Sequence, residues 1–157
     1  MTLKLPALDP AHVPAVTGST YPDQFKSAVA GRSKRRLGDA LGLTVFGVNL
    51  TTIAPGAQSA LRHWHSAQDE FIYLLEGELV LVTDEGEQVL KPGMCAGFPA
   101  GKANGHHLVN RTHRDAVYLE VGDRTRNDAV TYPDNNLALS ATSDGSRRFT
   151  KKDGTPF

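Results

Sequence analysis

Between Thr44 and Val121 the chain runs as a series of short apolar stretches, each cut off by glycine, proline or a charged turn before it can grow long. Thr44-Val45-Phe46-Gly47-Val48-Asn49-Leu50-Thr51-Thr52-Ile53 is rich in β-branched and aromatic residues and stops at Pro55-Gly56, the pattern of a strand and its turn. Segments of the same kind follow at 60–65, 70–75, 78–83, 86–90, 94–98, 105–110 and 115–121. The breaks between them are Glu76-Gly77, Asp84-Glu85-Gly86, Lys91-Pro92-Gly93, Pro99-Ala100-Gly101 and Arg111-Thr112. No stripe of helical period and useful length competes with this reading. The pattern predicts an all-β fold, a barrel or sandwich of short strands.

The flanks differ. Residues 1–42 read as an N-terminal arm and connector: Pro6, Pro10 and Pro14 punctuate the start, and a short helix is predicted over 23–30 before Gly31. Residues 43–122 form the barrel, and the polar stretch 123–157 reads as a C-terminal tail packing on it. At 157 residues this is about one domain.

Seventeen basic residues balance seventeen acidic ones, so overall charge points to neither a nucleic-acid nor a membrane partner. The Arg32-Ser33-Lys34-Arg35-Arg36 run is short, lacks interleaved aromatics and is expected to be a solvated connector. Cys95 is the single cysteine, which rules out an intrachain disulfide and a cysteine-rich metal site, and it is expected to be a small buried hydrophobe. The start lacks a signal-peptide apolar region, and no run reaches the length of a membrane helix; a soluble, cytoplasmic protein is the expectation.

Chemistry concentrates in His63-Trp64-His65-Ser66-Ala67-Gln68-Asp69-Glu70. Alternate residues of a strand share a face, so His63 and His65 point one way and Trp64 the other, towards the outer surface under the arm or a partner subunit. A reversal through Ser66-Ala67-Gln68 would carry the Glu70 carboxylate back towards both imidazoles. A further imidazole is available at His106, with His107 beside it; His106, Leu108 and Asn110 share a strand face. Imidazole with carboxylate suits one divalent transition metal, Fe, Mn, Ni, Zn or Cu, rather than Ca or Mg.

In these motifs the sequence resembles the cupin superfamily. Gly56, His63, His65, Glu70 and Gly77 fill its first motif, and Gly93, Pro99, Gly101, His106 and Asn110 its second. Two spacers are longer than the family pattern: six residues from Gly56 to His63 and four from Gly101 to His106. The family's histidine-to-asparagine spacing selects His106 over His107. The resemblance implies a double-stranded β-helix (cupin or jelly-roll barrel), a metal on His63, His65, Glu70 and His106, and assembly as a homodimer. The stretch from Arg32 to Gly122 and the ending Arg148–Phe157 are similar to small single-domain bacterial cupins, some of which carry sugar-phosphate isomerase labels.

That likeness implies an enzyme acting on a small polar metabolite, with a sugar or sugar-phosphate isomerase as the leading expectation. An iron-dependent dioxygenase and a non-enzymatic small-ligand-binding cupin are the alternatives, because fold does not select among them. Tyr73, Tyr118 and Glu120 are candidates for acid/base work, and Lys102 and Arg62 for binding an anionic group. Strand parity turns Tyr73 away from Glu70.

Overall fold

The computed structural model describes residues 3–142 and 146–157, so the first two residues of the N-terminal segment and 143–145 of the C-terminal one lie outside it. Thirteen strands are present among the described residues, and every named strand pair is antiparallel. In chain order they are β1 (Ala15–Thr17), β2 (Arg32–Arg36), β3 (Phe46–Ile53), β4 (Trp64–His65), β5 (Glu70–Glu76), β6 (Leu79–Thr83) and β7 (Gly86–Leu90). After these come β8 (Cys95–Phe98), β9 (His107–Val109), β10 (Ala116–Asp123), β11 (Val130–Tyr132), β12 (Leu137–Ala141) and β13 (Arg147–Thr150). Two single-turn helices, α1 (Asp23–Lys26) and α2 (Leu37–Ala40), and 3-10 turns at Pro10–His12 and Ser27–Val29 accompany them among the described residues. Among the described residues no helix is long and apolar enough to cross a membrane.

The strands form a six-stranded sheet ordered β1-β2-β3-β10-β5-β8, a three-stranded sheet β7-β6-β9 and a four-stranded sheet β13-β12-β11-β4. Alternation decides what each face buries. On β5, Ile72 and Leu74 are buried while Phe71, Tyr73 and Leu75 are exposed. On β10 Ala116 and Tyr118 turn inwards. These side chains meet Ile53, Leu79, Leu81, Leu90 and Leu108 in one core between the large and the three-stranded sheets. A second core, of Tyr21, Val29, Leu61, Val130, Tyr132, Leu137 and Leu139, sits under the four-stranded sheet.

Gly77 shows how tightly the β5–β6 turn is drawn. Its φ is +76°, and an added Cβ would lie 2.7 Å from the Asp115 carbonyl and 2.8 Å from Ala116 Cα. Only glycine meets both demands without displacing the backbone of β10.

Several elements depart from their expected form. The helix predicted over 23–30 is α1 followed by a 3-10 turn at Ser27–Val29. Arg32–Arg36, expected to be a solvated connector, is β2, paired with β3 from Arg32↔Ile53 to Arg36↔Asn49. A run of charged side chains hides a strand because long cations bury their stems and keep their heads in a polar space. Residues 130–150 supply the third sheet, in which β11 pairs with β4. Cys95 is exposed rather than buried: it lies opposite outward-facing Tyr73, while Ala96 and Phe98 take the inner side of β8.

Candidate metal centre

His63, His65, Glu70 and His106 come from three places in the fold. His63 precedes β4 and is locked to His106 by a reciprocal backbone pair, His63 N to His106 O at 3.1 Å and His106 N to His63 O at 2.8 Å. Glu70 opens β5, in a different sheet from β4, so the reversal through Ser66-Ala67-Gln68 crosses between sheets instead of closing a hairpin. Asp128, from the loop before β11, holds that crossing. Its fully buried carboxylate accepts from Ala67 N at 2.9 Å and Ser66 Oγ at 3.4 Å.

The three imidazoles close on a single oxygen. Glu70 Oε2 lies 2.9 Å from His106 Nε2, 3.5 Å from His65 Nε2 and 3.6 Å from His63 Nε2. Ligand atoms of His63, Glu70 and His106 all fall within 4.8 Å of one another, a group that could hold an ion among the described residues, and His65 Nε2 faces the same Glu70 oxygen. His107 is turned elsewhere: its Nδ1 bonds the Ala60 carbonyl at 3.0 Å. The Phe98 ring is stacked on the His106 imidazole at a centroid distance of 3.5 Å and fixes its plane.

Outer hydrogen bonds determine what the inner nitrogens can do. His63 Nδ1 is 2.8 Å from the Leu61 carbonyl, and His65 Nδ1 is 2.6 Å from Asp128 Oδ2. A carbonyl and a carboxylate only accept, so both Nδ1 atoms carry protons, and in the neutral rings both Nε2 atoms present lone pairs. Lone pairs of His63 and His65 then face the Glu70 oxygen, an arrangement that repels itself unless positive charge sits among them. The donor set therefore fits a divalent transition metal.

When His63 is protonated at Nε2 as well, that ring supplies the positive charge itself and donates to Glu70. Burial alone would raise the Glu70 pKa, but hydrogen bonds from His106 and His63 hold it well below the usual carboxylate range. Burial pushes His63 down; its hydrogen bond to Glu70 and the charge there reverse this and leave it raised. His106 stays lowered because burial wins.

This cluster opens into a cavity of about 570 Å³. Glu120 and Tyr118, two of the candidates for acid/base work, line its wall, and Tyr73 does not. The register explains this. Ile72, Glu120, Asn49 and Arg36 stand directly opposite one another across β5, β10, β3 and β2, and Leu74, Tyr118, Thr51 and Lys34 form the next row. Residues paired this way share a sheet face, so the Glu70 side of β5 and the cationic side of β2 look into one space.

Glu120 is tied from several sides. Lys34 Nζ lies 2.6 Å from Oε1 and 2.9 Å from Oε2, Asn49 Nδ2 donates to Oε1 at 3.0 Å, and the Tyr118 hydroxyl donates to Oε2 at 3.2 Å. Burial by itself would raise its pKa; the Lys34 ammonium overrides that, so Glu120 titrates below its ordinary value. Burial next to Glu120 pushes Tyr118 well above the ordinary phenol, leaving it a hydrogen-bond donor.

Of the two cations proposed for an anionic group, neither serves the cavity. Arg62 is held by Asp84 and by Asp134, at 2.6 and 2.7 Å to the latter. Lys102 does not line the cavity but borders an adjoining cleft of about 60 Å³ that shares His65, Glu70, Phe98 and His106 with it. The cavity's cations are Arg32, Lys34, Arg36 and Arg147. Sequence reasoning missed them because β2 lacks the β-branched residues that mark strands; the available signal was the alternation of Arg32, Lys34 and Arg36 itself.

Asn110, the last residue of the second motif, takes no part in the cluster. Fully buried, it donates to the Ile53 and Arg114 carbonyls at 2.8 and 2.7 Å and accepts from Thr112 N at 2.9 Å. It closes the loop between β9 and β10.

The sequence profile of the cupin domain matches residues 49–122. A solved sugar phosphate isomerase of the cupin superfamily from Silicibacter pomeroyi DSS-3 is 49% identical, with 97% of this chain and 96% of that chain covered and a TM-score of 0.92. A protein from Acidithiobacillus ferrooxidans ATCC 23270, provisionally called a sugar phosphate isomerase, is 30% identical over 80% of each chain with a TM-score of 0.72. The polyketide cyclase RemF from Streptomyces resistomycificus shares the fold at 23% identity and a TM-score of 0.64, over 76% of this chain and 80% of that one. No curated protein matches the chain.

Proposed function

The chain belongs to the cupin superfamily, and from that membership we propose that it is a metal-dependent isomerase of a sugar or sugar phosphate, with one divalent transition metal on His63, His65, Glu70 and His106. One observation carries the reading: the lysine-paired carboxylate of Glu120 shares a single cavity with the three histidines and Glu70. The likeness to proteins called sugar phosphate isomerases supports the substrate class.

A divalent metal bound there supplies Lewis acidity towards a carbonyl or enediolate oxygen. The remaining work falls to side chains of the wall. An aldose–ketose interconversion moves one proton between adjacent carbons and a second from the hydroxyl oxygen on one to the carbonyl oxygen on the other, and Glu120 is the group to take the carbon-bound proton on one carboxylate oxygen and return it to the neighbouring carbon. Its lowered pKa keeps it ionised throughout the neutral range, ready to accept. Lys34 and Asn49 hold the carboxylate in place, and the Tyr118 hydroxyl donates to it without competing as a base. Ile72, Phe98 and Leu108 give the space an apolar wall that limits water around the exchanged proton.

The test is elemental analysis of protein purified without chelators, followed by turnover of aldose and ketose phosphates monitored by NMR in D2O with oxygen uptake recorded. We expect a stoichiometric transition metal, interconversion with solvent deuterium incorporated, and no oxygen consumed. Glu120→Gln should lower turnover by about 100-fold or more with metal content unchanged. Negligible metal after reconstitution, or oxygen uptake coupled to substrate loss, would overturn the proposal.

A further inference from the structure

Four cations line the cavity, and three of them are spoken for. Lys34 is paired with Glu120 at 2.6 Å and Arg147 with Asp128 at 2.9 Å. Arg32 spends one guanidinium nitrogen on the Ser59 carbonyl and another on the Gly18 carbonyl. Arg36 alone of the four has no hydrogen-bond or ion-pair partner among the described residues. Its side chain is exposed at the end of β2, opposite Asn49.

Charge leaves the β2 end of the space positive. Glu120 balances Lys34, and no carboxylate pairs with Arg32 or Arg36 among the described residues. A guanidinium presents a planar fork of donors matched to the paired oxygens of an oxyanion. Lys34, two residues back on the same face of β2, has a third ammonium proton beyond the two directed at Glu120 Oε1 and Oε2.

Distance fits a small ligand. Arg36 and Glu70 stand on strands three places apart in the sheet, β2 and β5, roughly 14 Å at ordinary strand spacing. Arginine reaches inwards from one side and the glutamate and histidines from the other, which leaves the span of a molecule of a few carbons. Glu120, on β10, lies along that line, where the middle of such a molecule would pass.

We infer that Arg36, assisted by Lys34, is the subsite for a terminal phosphate group, so that the ligand lies across the cavity with its oxygenated end at the histidine cluster and its phosphate at the end of β2. The inference rests on the isomerase reading only for what lies between the two ends; the anion subsite stands on the cations of β2. It selects a phosphorylated over an uncharged sugar and excludes substrates that lack a terminal anion.

Isothermal titration of inorganic phosphate, with metal content measured on each preparation, tests this. We expect saturable binding to the wild type, about tenfold or more weaker in Arg36→Gln with the metal content unchanged. Arg36→Lys should retain part of the affinity, and Arg148→Gln, which removes an exposed charge on β13, should retain all of it. His106→Ala separates the two readings, because losing the metal should leave phosphate affinity intact. The subsite is wrong if the wild type shows no saturable binding, if Arg36→Gln binds as the wild type does, or if Arg148→Gln loses as much. Loss in His106→Ala with retention in Arg36→Gln would place phosphate on the histidine cluster and also overturn it. Acetate binding tighter than phosphate would overturn the choice of phosphate.

Discussion

At one end of the cavity, ring nitrogens of His63, His65 and His106 converge on the Glu70 carboxylate within a few ångströms. At the other end Arg32, Lys34 and Arg36 stand along one face of β2. The first end is a set of nitrogen and oxygen groups suited to a cation, and the second carries more positive charge than its carboxylates neutralise. The two ends are opposite in sense, and Glu120 stands between them with its charge balanced by Lys34. A ligand that engages both ends must therefore carry donor oxygens at one terminus and negative charge at the other. Selectivity would come from the cavity's length as much as from either cluster.

The comparison breaks most completely at the histidine end. His106→Ala removes the imidazole nearest Glu70, at 2.9 Å, and is expected to abolish retention of the metal through gel filtration. His107→Ala, which removes only a ring bonded to the Ala60 carbonyl, should retain it. Elemental analysis of both variants decides; metal lost from His107→Ala and kept by His106→Ala would mean that the adjacent ring is the ligand.

A smaller effect is expected one layer out. Asp128 fixes the His65 tautomer at 2.6 Å and anchors the crossing between β4 and β5. Asp128→Asn keeps the shape but loses the charge that makes His65 a better ligand, and removes the counter-ion of Arg147. Affinity for the metal should fall by about 10- to 100-fold, measured by competition with a chromophoric chelator. Unchanged affinity would show that His65 is oriented by the β4–β11 pairing alone.

The histidine end was legible in the sequence, and the cationic end was not. That His63, His65, Glu70 and His106 would come together was readable from residue type and spacing, because a cluster built on turns and strand alternation leaves a local trace. Choosing His106 over His107 rested on the family's histidine-to-asparagine spacing together with parity, and the structure turns the two rings to different partners. Lys34 and Arg36 owe their place to pairing with β3, whose register, Lys34 with Thr51 and Arg36 with Asn49, no local pattern encodes. The same holds for Asp128, brought to His65 across 63 residues by the loop before β11. Cys95 failed for another reason: Ala96 and Phe98 took the inner face of β8, and a single residue of parity set the sulfur outside.

The smallest effect probes the group between the ends. Lys34→Met keeps an apolar stem against the sheet and leaves Glu120 with only Asn49 and Tyr118. Lys34 and Glu120 are 25% and 20% exposed, between a surface pair and a fully buried one, so the loss at neutral pH should be about 1 kcal/mol. Its pH dependence carries a sign. Glu120 has a folded pKa below the ordinary 4.5, so its contribution to stability is present in full above that value and fades as pH falls through the folded pKa. Without Lys34 the folded pKa rises, because burial is then opposed only by neutral donors. Urea midpoints of wild type and variant should therefore lie furthest apart near neutrality and converge in acid. A gap that stays constant or widens as the pH drops would mean that Lys34 acts through packing, and that the charge balance drawn here for the middle of the cavity is wrong.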